Sequence, residues 1–219
     1  MPCQADGPTP CPYNYETILH SSPFVPLIKR VLLRLRMAGL TKRWRGRPGI
    51  SPITAGWNRP CLPDTDSLRL NLGCGEANYA GFVNLDIAKQ PQLHVLADGR
   101  CLPFAARTFA QVLCTDVIKH MEAQDGQRLL GEVSRILKPG GRFILVTPDL
   151  DGLMLVHQVG MATHQQVMQH LYGDQRDHRY LYTRELISRA AQVAGLNVHR
   201  TVQGWGPIWA HMVVLAEKP

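Results

Sequence analysis

The chain has 219 residues, 45% of them apolar, and a net charge of +7. That length accommodates one α/β domain with a full core plus an appendage, and two complete domains would be crowded. No run reaches the roughly eighteen uninterrupted apolar residues of a membrane-spanning helix, and the N-terminus lacks the basic flank and apolar core of a secretory signal, so a cytoplasmic protein is expected.

The charge is unevenly divided. Residues 1–66 hold nine Lys/Arg against four Asp/Glu, whereas residues 67–219 hold fifteen against thirteen, so the basic character belongs to an N-terminal extension. Residues 1–22 are rich in Pro, Gly, Ser and Thr, a composition expected to be poorly ordered. From Pro23 to about Leu40, Leu27, Val31, Leu35 and Ala38 recur at helical spacing with Lys29, Arg30, Arg34 and Arg36 between them, which predicts an amphipathic helix. Lys42, Arg43, Trp44, Arg45 and Arg47 follow, with no acidic residue between Lys29 and Arg59. Such a surface is either merely solvated or meets an anionic partner. Trp44 and the Leu/Val face suit a phospholipid interface and no nucleic-acid motif is present, so residues 23–47 are expected to make peripheral contact with a membrane, at its inner face, rather than with nucleic acid. Residues 46–67, with four prolines and three glycines, read as a linker to a domain over 67–219.

That domain opens on a strand, Leu68, Leu70 and Leu72, which runs into the turn Gly73-Cys74-Gly75. A second apolar burst, Phe82 to Leu85, ends on Asp86. Glycines after a strand let the backbone approach a ligand, and a carboxylate closing the next strand can accept hydrogen bonds from both hydroxyls of a ribose. A short third strand, Leu93 to Leu96, leads to Ala97-Asp98-Gly99, and a fourth, Ala110 to Cys114, to Thr115-Asp116. Asp125 looks like the N-cap of a helix reaching Leu137, stopped by Lys138-Pro139-Gly140-Gly141. Arg142 to Thr147 is the fifth strand. Strands and helices at this spacing imply a doubly wound, mostly parallel sheet whose ligands lie at the carboxyl ends of the strands.

Residues 149–182 break the rhythm with three methionines, four histidines and three tyrosines, and read as one or two helices inserted as a cover over that rim. Thr183 caps a helix from Arg184 to Ala194, with Gly195 as its stop. Leu196 to Gln203 and Ile208 to Glu217 lie too close for a crossover helix and must form an antiparallel hairpin. The six cysteines show no metal-ligand spacing and read as reduced, packed thiols.

Leu-Asn-Leu-Gly-Cys-Gly at 70–75, Asn84-Leu85-Asp86, Ala97-Asp98 before Leu102-Pro103-Phe104, the helix ending Ile136-Leu137-Lys138-Pro139-Gly140-Gly141 and the terminal hairpin resemble class I S-adenosylmethionine-dependent methyltransferases, of the type 11 kind. The resemblance spans about residues 67–219. It implies a Rossmann-like, seven-stranded sheet of order 3-2-1-4-5-7-6 with strand 7 antiparallel, S-adenosylmethionine as cofactor and a small-molecule methyl acceptor. It also implies that Gly73, Cys74 and Gly75 line the methionine and ribose part, that Asp86 holds the ribose hydroxyls, that Asp98 accepts from the adenine amino group with Gly99 nearby, and that Thr115 and Asp116 flank the amino-acid end.

Three positions depart from the family pattern: Ala77 stands where the third loop glycine falls, Asn71 where an acidic residue is usual, and only ten residues separate Gly75 from Asp86. The first crossover helix is therefore expected to be stunted or absent. An NAD-dependent oxidoreductase is the rival on the same architecture, but it needs a third glycine and a helix N-terminus for the pyrophosphate. A cofactor-free methyltransferase-like scaffold brought to membranes by residues 23–47 is the other alternative. For proton removal during methyl transfer the candidate bases are His120, just beyond the fourth strand, and His178, on the cover in a Gly/Gln-then-His segment that resembles one seen in bacterial methyltransferases of this type. His157, His164, His170 and His178 lack the i, i+4 spacing of a helical zinc site, and no metal is expected from them.

Overall fold

A computed structural model describes residues 68–173, 175–205 and 211–219. The N-terminal extension, its amphipathic helix, the membrane-contact stretch 23–47 and the linker lie outside the described residues, as do Gly206 and Pro207 of the last turn.

Seven strands form one sheet in the order β3-β2-β1-β4-β5-β7-β6. They are β1 (Arg69–Leu72), β2 (Phe82–Asp86), β3 (Val95–Leu96), β4 (Phe109–Thr115), β5 (Leu137–Pro148), β6 (Asn197–Trp205) and β7 (His211–Glu217). The first five run parallel, and β7 enters antiparallel between β5 and β6, with Arg142 opposite Glu217 and Pro148 opposite His211. This is the strand order that the family resemblance implies. The centre of the sheet is apolar throughout, Leu70, Val112, Leu113, Phe143, Ile144, Val213 and Leu215 being fully buried, as parallel strands covered on both faces require.

Four helices complete the described chain: α1 (Ala123–Ile136), α2 (Leu150–Gln158), α3 (His164–Tyr172) and α4 (Arg184–Val193). Helix α1 presents Leu129, Leu130, Val133 and Ile136 to the largest apolar cluster, which also takes Ile187 and Ala191 from α4. It begins three residues before the sequence reading placed it, at the N-cap Glu122; the Asp125 carboxylate instead accepts from Arg100 and Arg128. Helix α4 starts as read, with the Thr183 hydroxyl accepting from the Leu186 amide, and Gly195 follows at φ 80°.

No helix occurs between β1 and β2. Residues 73–81 cross over as an irregular loop, so the short hop from Gly75 to Asp86 has the consequence the sequence implied. Buried side chains hold what a helix would otherwise brace. The Asn71 amide, fully inside the sheet, donates to Asn84 Oδ1 (3.2 Å) and to the Ala77 carbonyl (3.3 Å), while Asn84 Nδ2 donates to Asn78 Oδ1 and the Gln92 carbonyl (3.2 Å each). An amide supplies donors where a carboxylate has none, which is the physical reason for Asn at 71 in a crossover without a helix.

The inserted cover is two helices, α2 and α3, packed on each other through Leu153, Val156, Ala162 and Val167. Its base is tied to the sheet where Asp149 bridges Tyr182 and the Leu150 amide donates to the Tyr182 carbonyl.

Candidate functional site

The strand ends converge on a cavity of about 840 Å³. Each side chain in its wall is placed by a local feature of the chain. At the end of β1, Gly73 takes φ 69° and both its amide and that of Cys74 donate to the Leu85 carbonyl (2.8 and 3.0 Å). A Cβ at Gly73 would sit 2.0 Å from Val117 Cγ2, so only glycine lets β1 turn this close to the loop after β4. Gly75 also has positive φ, 49°, but a Cβ there would meet nothing within 4 Å, because it faces the cavity.

Asp86 closes β2. Its Oδ2 accepts from the Gly75 amide (2.8 Å) and its Oδ1 from the Ala88 amide (2.9 Å), which leaves each oxygen a further lone pair for a ligand. Gln92 Nε2 donates to the Gly75 carbonyl and ties the glycine turn to the loop after β2. Asp98, after β3, is differently placed. Arg100 grips it twice, Nε and Nη2 donating to Oδ2 at 3.0 and 2.6 Å, and Oδ1 takes the Arg100 amide (2.8 Å) together with Nε (3.0 Å). The guanidinium hydrogen bonds hold the Asp98 carboxyl below the usual carboxylate range. Arg100 Nη1 also reaches Asp125 Oδ2 at 2.9 Å.

At the end of β4, Asp116 sits at φ 60°, a left-handed conformation rare outside glycine. Lys119 Nζ (2.8 Å) and His211 Nε2 (3.2 Å) both meet its Oδ1. Burial works to raise the Asp116 carboxyl, but the His211 and Lys119 contacts override it and take it down to about 2. Thr115 also lines the cavity, and its hydroxyl oxygen is buried without a partner among the described residues. His120 follows in a single 3-10 turn, Ile118–His120, and its ring stands 5.2 Å from that of His178.

Of the residues read from the sequence, Gly73, Gly75, Asp86, Asp98, Gly99, Thr115, Asp116 and His120 all line this one cavity. Cys74 does not: it is buried, and burial first, then the nearby Asp86 charge, push its thiol up to about 11. His178 lies behind His120 rather than in the wall. Among its described residues the cover contributes Asp177 and Arg179, from the segment after α3, and that segment is anchored where the Arg179 amide donates to the Lys119 carbonyl (2.8 Å). Arg100, Asp177, Arg179 and His211 were not anticipated. His211 lies 95 residues from Asp116 and no local pattern links them. His157 and His164 pair with each other, ring centroids 6.3 Å apart, away from this wall.

A family profile described as a methyltransferase domain matches residues 81–145, from β2 to β5. The 3-2-1-4-5-7-6 sheet described above agrees with that match. The matched segment is that of a methyltransferase domain, and the fold around it is that of the class I S-adenosylmethionine-dependent methyltransferases. Solved structures with the same fold include a protein from Pyrococcus horikoshii (18% identity, TM-score 0.53, covering 91% of this chain and 93% of that one). A SAM-dependent methyltransferase from Methanosarcina mazei aligns at 14% identity and TM-score 0.52, over 78% of this chain and 99% of that one. A Haloferax volcanii methyltransferase, solved in complex with the Trm112 activator, aligns at 16% identity and TM-score 0.51, over 70% and 83%. No curated protein matches the chain in sequence.

The cofactor of the methyltransferase domain is S-adenosylmethionine, and the cavity's features suit it. A turn that only glycine can make opens the floor, Asp86 keeps unused lone pairs, and the Thr115 hydroxyl is buried and unpaired. Among the lining residues six carboxylates face two arginines and one histidine, a balance that favours a ligand carrying a sulfonium and an ammonium. The missing crossover helix removes the N-terminus on which a dinucleotide's pyrophosphate would rest. Asp98 is the position that does not fit as it stands: all four of its acceptor sites go to Arg100, so Arg100 must swing away before Asp98 can accept from an adenine amino group. Arg100 is half exposed, and swinging away also gives up its Nη1 contact with Asp125.

Proposed function

We propose that the domain transfers the methyl group of S-adenosylmethionine to a small-molecule acceptor bearing a hydroxyl or an amine. The observation that carries this reading is the joint placement of Gly75, Asp86, Thr115, Asp116 and His120 around one acid-lined cavity. In it, Asp86 accepts from the ribose hydroxyls, the Gly73-Gly75 turn leaves room for the ribose and methionine, and Asp98, released by Arg100, takes the adenine amino group. Thr115 and Asp116 hold the amino-acid end. The protein's main task is alignment, because methyl transfer is an in-line displacement at a sulfonium and holding nucleophile and methyl in line supplies most of the rate. His120 takes the acceptor's proton and His178 backs it, an arrangement worth on the order of 10²–10⁴ in rate.

Calorimetry with S-adenosylhomocysteine tests the cofactor part: Asp86→Ala should lower affinity about 10-fold to 100-fold, the loss of two charge-assisted hydrogen bonds. Equal binding by wild type and variant would remove Asp86 from the site. For the acceptor, the radiolabelled methyl of S-adenosylmethionine should pass into the low-mass fraction of a cell extract; label found in protein or nucleic acid instead would refute a small-molecule acceptor.

The extension, residues 1–66, is on this reading a separate unit that brings the cytoplasmic domain, residues 67–219 with its cover, to the membrane face through the basic stretch 23–47. What supports it is charge and pattern: nine basic residues against four acidic, with Trp44 among them. Among the described residues no helix is long and apolar enough to cross a membrane. Co-sedimentation with anionic liposomes should be lost when residues 1–47 are removed, and equal binding by the two forms would sink the idea.

A further inference from the structure

Beside the cavity, three side chains from two distant parts of the chain come together without any role in holding the cofactor. His120 follows β4, while Asp177 and His178 lie on the segment after α3. One ligand atom from each of the three falls within 4.8 Å of the others. His120 Nδ1 stands 3.2 Å from Asp177 Oδ2. Nδ1 also faces the Asp177 carbonyl at 3.2 Å, so it carries a proton as it stands; two ligand atoms on one tetrahedral ion with bonds of roughly 2.0–2.1 Å are about 3.3 Å apart, so an ion that replaced this proton would need little movement of the pair.

Two further features prepare the cluster. His178 Nδ1 lies 2.8 Å from the His170 carbonyl, to which it donates; that bond fixes the tautomer and leaves Nε2 as the free, metal-binding nitrogen. Gly173, at φ 75°, is the other feature. A Cβ there would lie 2.2 Å from Asp177 Oδ1 and 2.9 Å from His178 Cδ2, so the turn after α3 brings both ligands into place only because residue 173 has no side chain.

We propose that His120, Asp177 and His178 form a binding site for a divalent cation of the zinc type, with its remaining position open towards the cavity that His120 and Asp177 line. Two imidazoles and one carboxylate are the donor set of a borderline ion that keeps an exchangeable site, not of magnesium or calcium, which take oxygen. The site deepens the methyl-transfer reading and rests on it for its use: the open position takes an oxygen of the acceptor. A hydroxyl bound there has its pKa lowered and releases its proton to water before the transfer. The displacement then forms the bond from oxygen to methyl and breaks the bond from methyl to sulfur, whose electron pair stays on the neutral thioether. In the loaded site His120 is a ligand, and the ion takes over the task of a base. Closing the loop between residues 120 and 177 would also pin the segment after α3 against β4.

The test uses the full chain, stripped with a chelator and titrated with zinc chloride by calorimetry, with X-ray absorption at the zinc edge. The expected result is one equivalent bound, a first shell of nitrogen and oxygen only, and affinity at least about 10-fold lower in both His178→Ala and Asp177→Asn, while His157→Ala binds as wild type. Because Asp177 is half exposed, Asp177→Asn decides the matter if His178→Ala does not fold. The proposal is overturned by no saturable binding, by sulfur in the shell, or by an Asp177→Asn variant that binds zinc as wild type does. The titration contains no S-adenosylmethionine, so a failure of the cofactor reading, seen with Asp86→Ala, is read separately from a failure of the metal site.

Discussion

Replacing Gly73 by alanine should cost about 2–5 kcal/mol of stability, from two sources that can be separated. The backbone there stands at φ 69°, where an L side chain costs roughly 1–2 kcal/mol. The new methyl would also lie 2.0 Å from Val117 Cγ2, against an ordinary carbon contact of about 3.5–4.0 Å, and forced overpacking of that kind costs about 1–3 kcal/mol. Gly75 is the internal control. Its φ of 49° carries the same backbone penalty, yet nothing lies within 4 Å of the added carbon, so Gly75→Ala should lose only the first, smaller amount. Urea unfolding of wild type, both single variants, Val117→Ala and the double variant Gly73→Ala/Val117→Ala would measure this. Trimming Val117 should recover the overlap part of the loss, a coupling of roughly 1–3 kcal/mol, and leave the backbone part. Calorimetry with S-adenosylhomocysteine completes the comparison: Gly75→Ala should lose affinity out of proportion to its small loss of stability, since the methyl enters ligand space. Equal destabilisation by the two alanines, or no coupling to Val117, would refute the reasoning.

Other consequences are open to measurement. Asp116 titrates at about 2 in the folded chain against an ordinary 3.8, so the unfolded state binds its proton first. The stabilisation it gives is therefore complete above the ordinary value and is lost as pH falls towards 2; Asp116→Asn should flatten acid unfolding in that window, and an unchanged acid limb would show that His211 and Lys119 do not hold the carboxylate. Arg100→Ala removes the three guanidinium contacts on Asp98, leaving only the residue-100 amide on Oδ1, and should tighten S-adenosylhomocysteine binding a few-fold, with weaker binding indicating that Arg100 itself holds the ligand. Gly126→Ala would place a methyl 2.4 Å from the Tyr182 hydroxyl, so its melting temperature should fall by several degrees, and pairing it with Tyr182→Phe should restore part of that; no recovery would mean that the tyrosine is not the obstacle.

The sheet and most of the cavity wall were readable because they depend on local signals. A strand ending in glycine, an apolar burst ending in Asp86 and a hairpin too tight for a crossover each declare themselves within about ten residues. What escaped the sequence depends on choices that no spacing records. Arg100 lies two residues from Asp98, yet nothing in the pattern says that its guanidinium folds back on that carboxylate instead of reaching solvent. Asn71 stood out only as a replacement for an acidic residue and Asn84 only as part of the second strand's end, and the paired strands show that together they brace a loop without a helix. Asp125 satisfied the rule for an N-cap, but with Arg100 and Arg128 as partners its carboxylate had better hydrogen bonds to make than a helix amide, and Glu122 took the boundary. The cover was foreseen as a lid of helices; its helices pack on each other, and the few residues beyond them reach the cavity.

The insertion of β7 between β5 and β6 sets an order on how the site is completed during folding. Residues 68–115 supply β1 to β4, whose parallel pairs β1–β2 and β2–β3 close over short stretches because no helix intervenes, and short loops close at low entropic cost. That stretch already holds Gly75, Asp86 and Asp98. Asp116 gains His211 only when β7 pairs with β5, where Arg142 meets Glu217 across 75 residues of sequence, and pairings that distant form slowly. The cofactor end of the cavity should therefore gain amide protection in pulsed hydrogen exchange before the acceptor end does; simultaneous protection of Leu85 and Val214 would show instead that the sheet closes in one step.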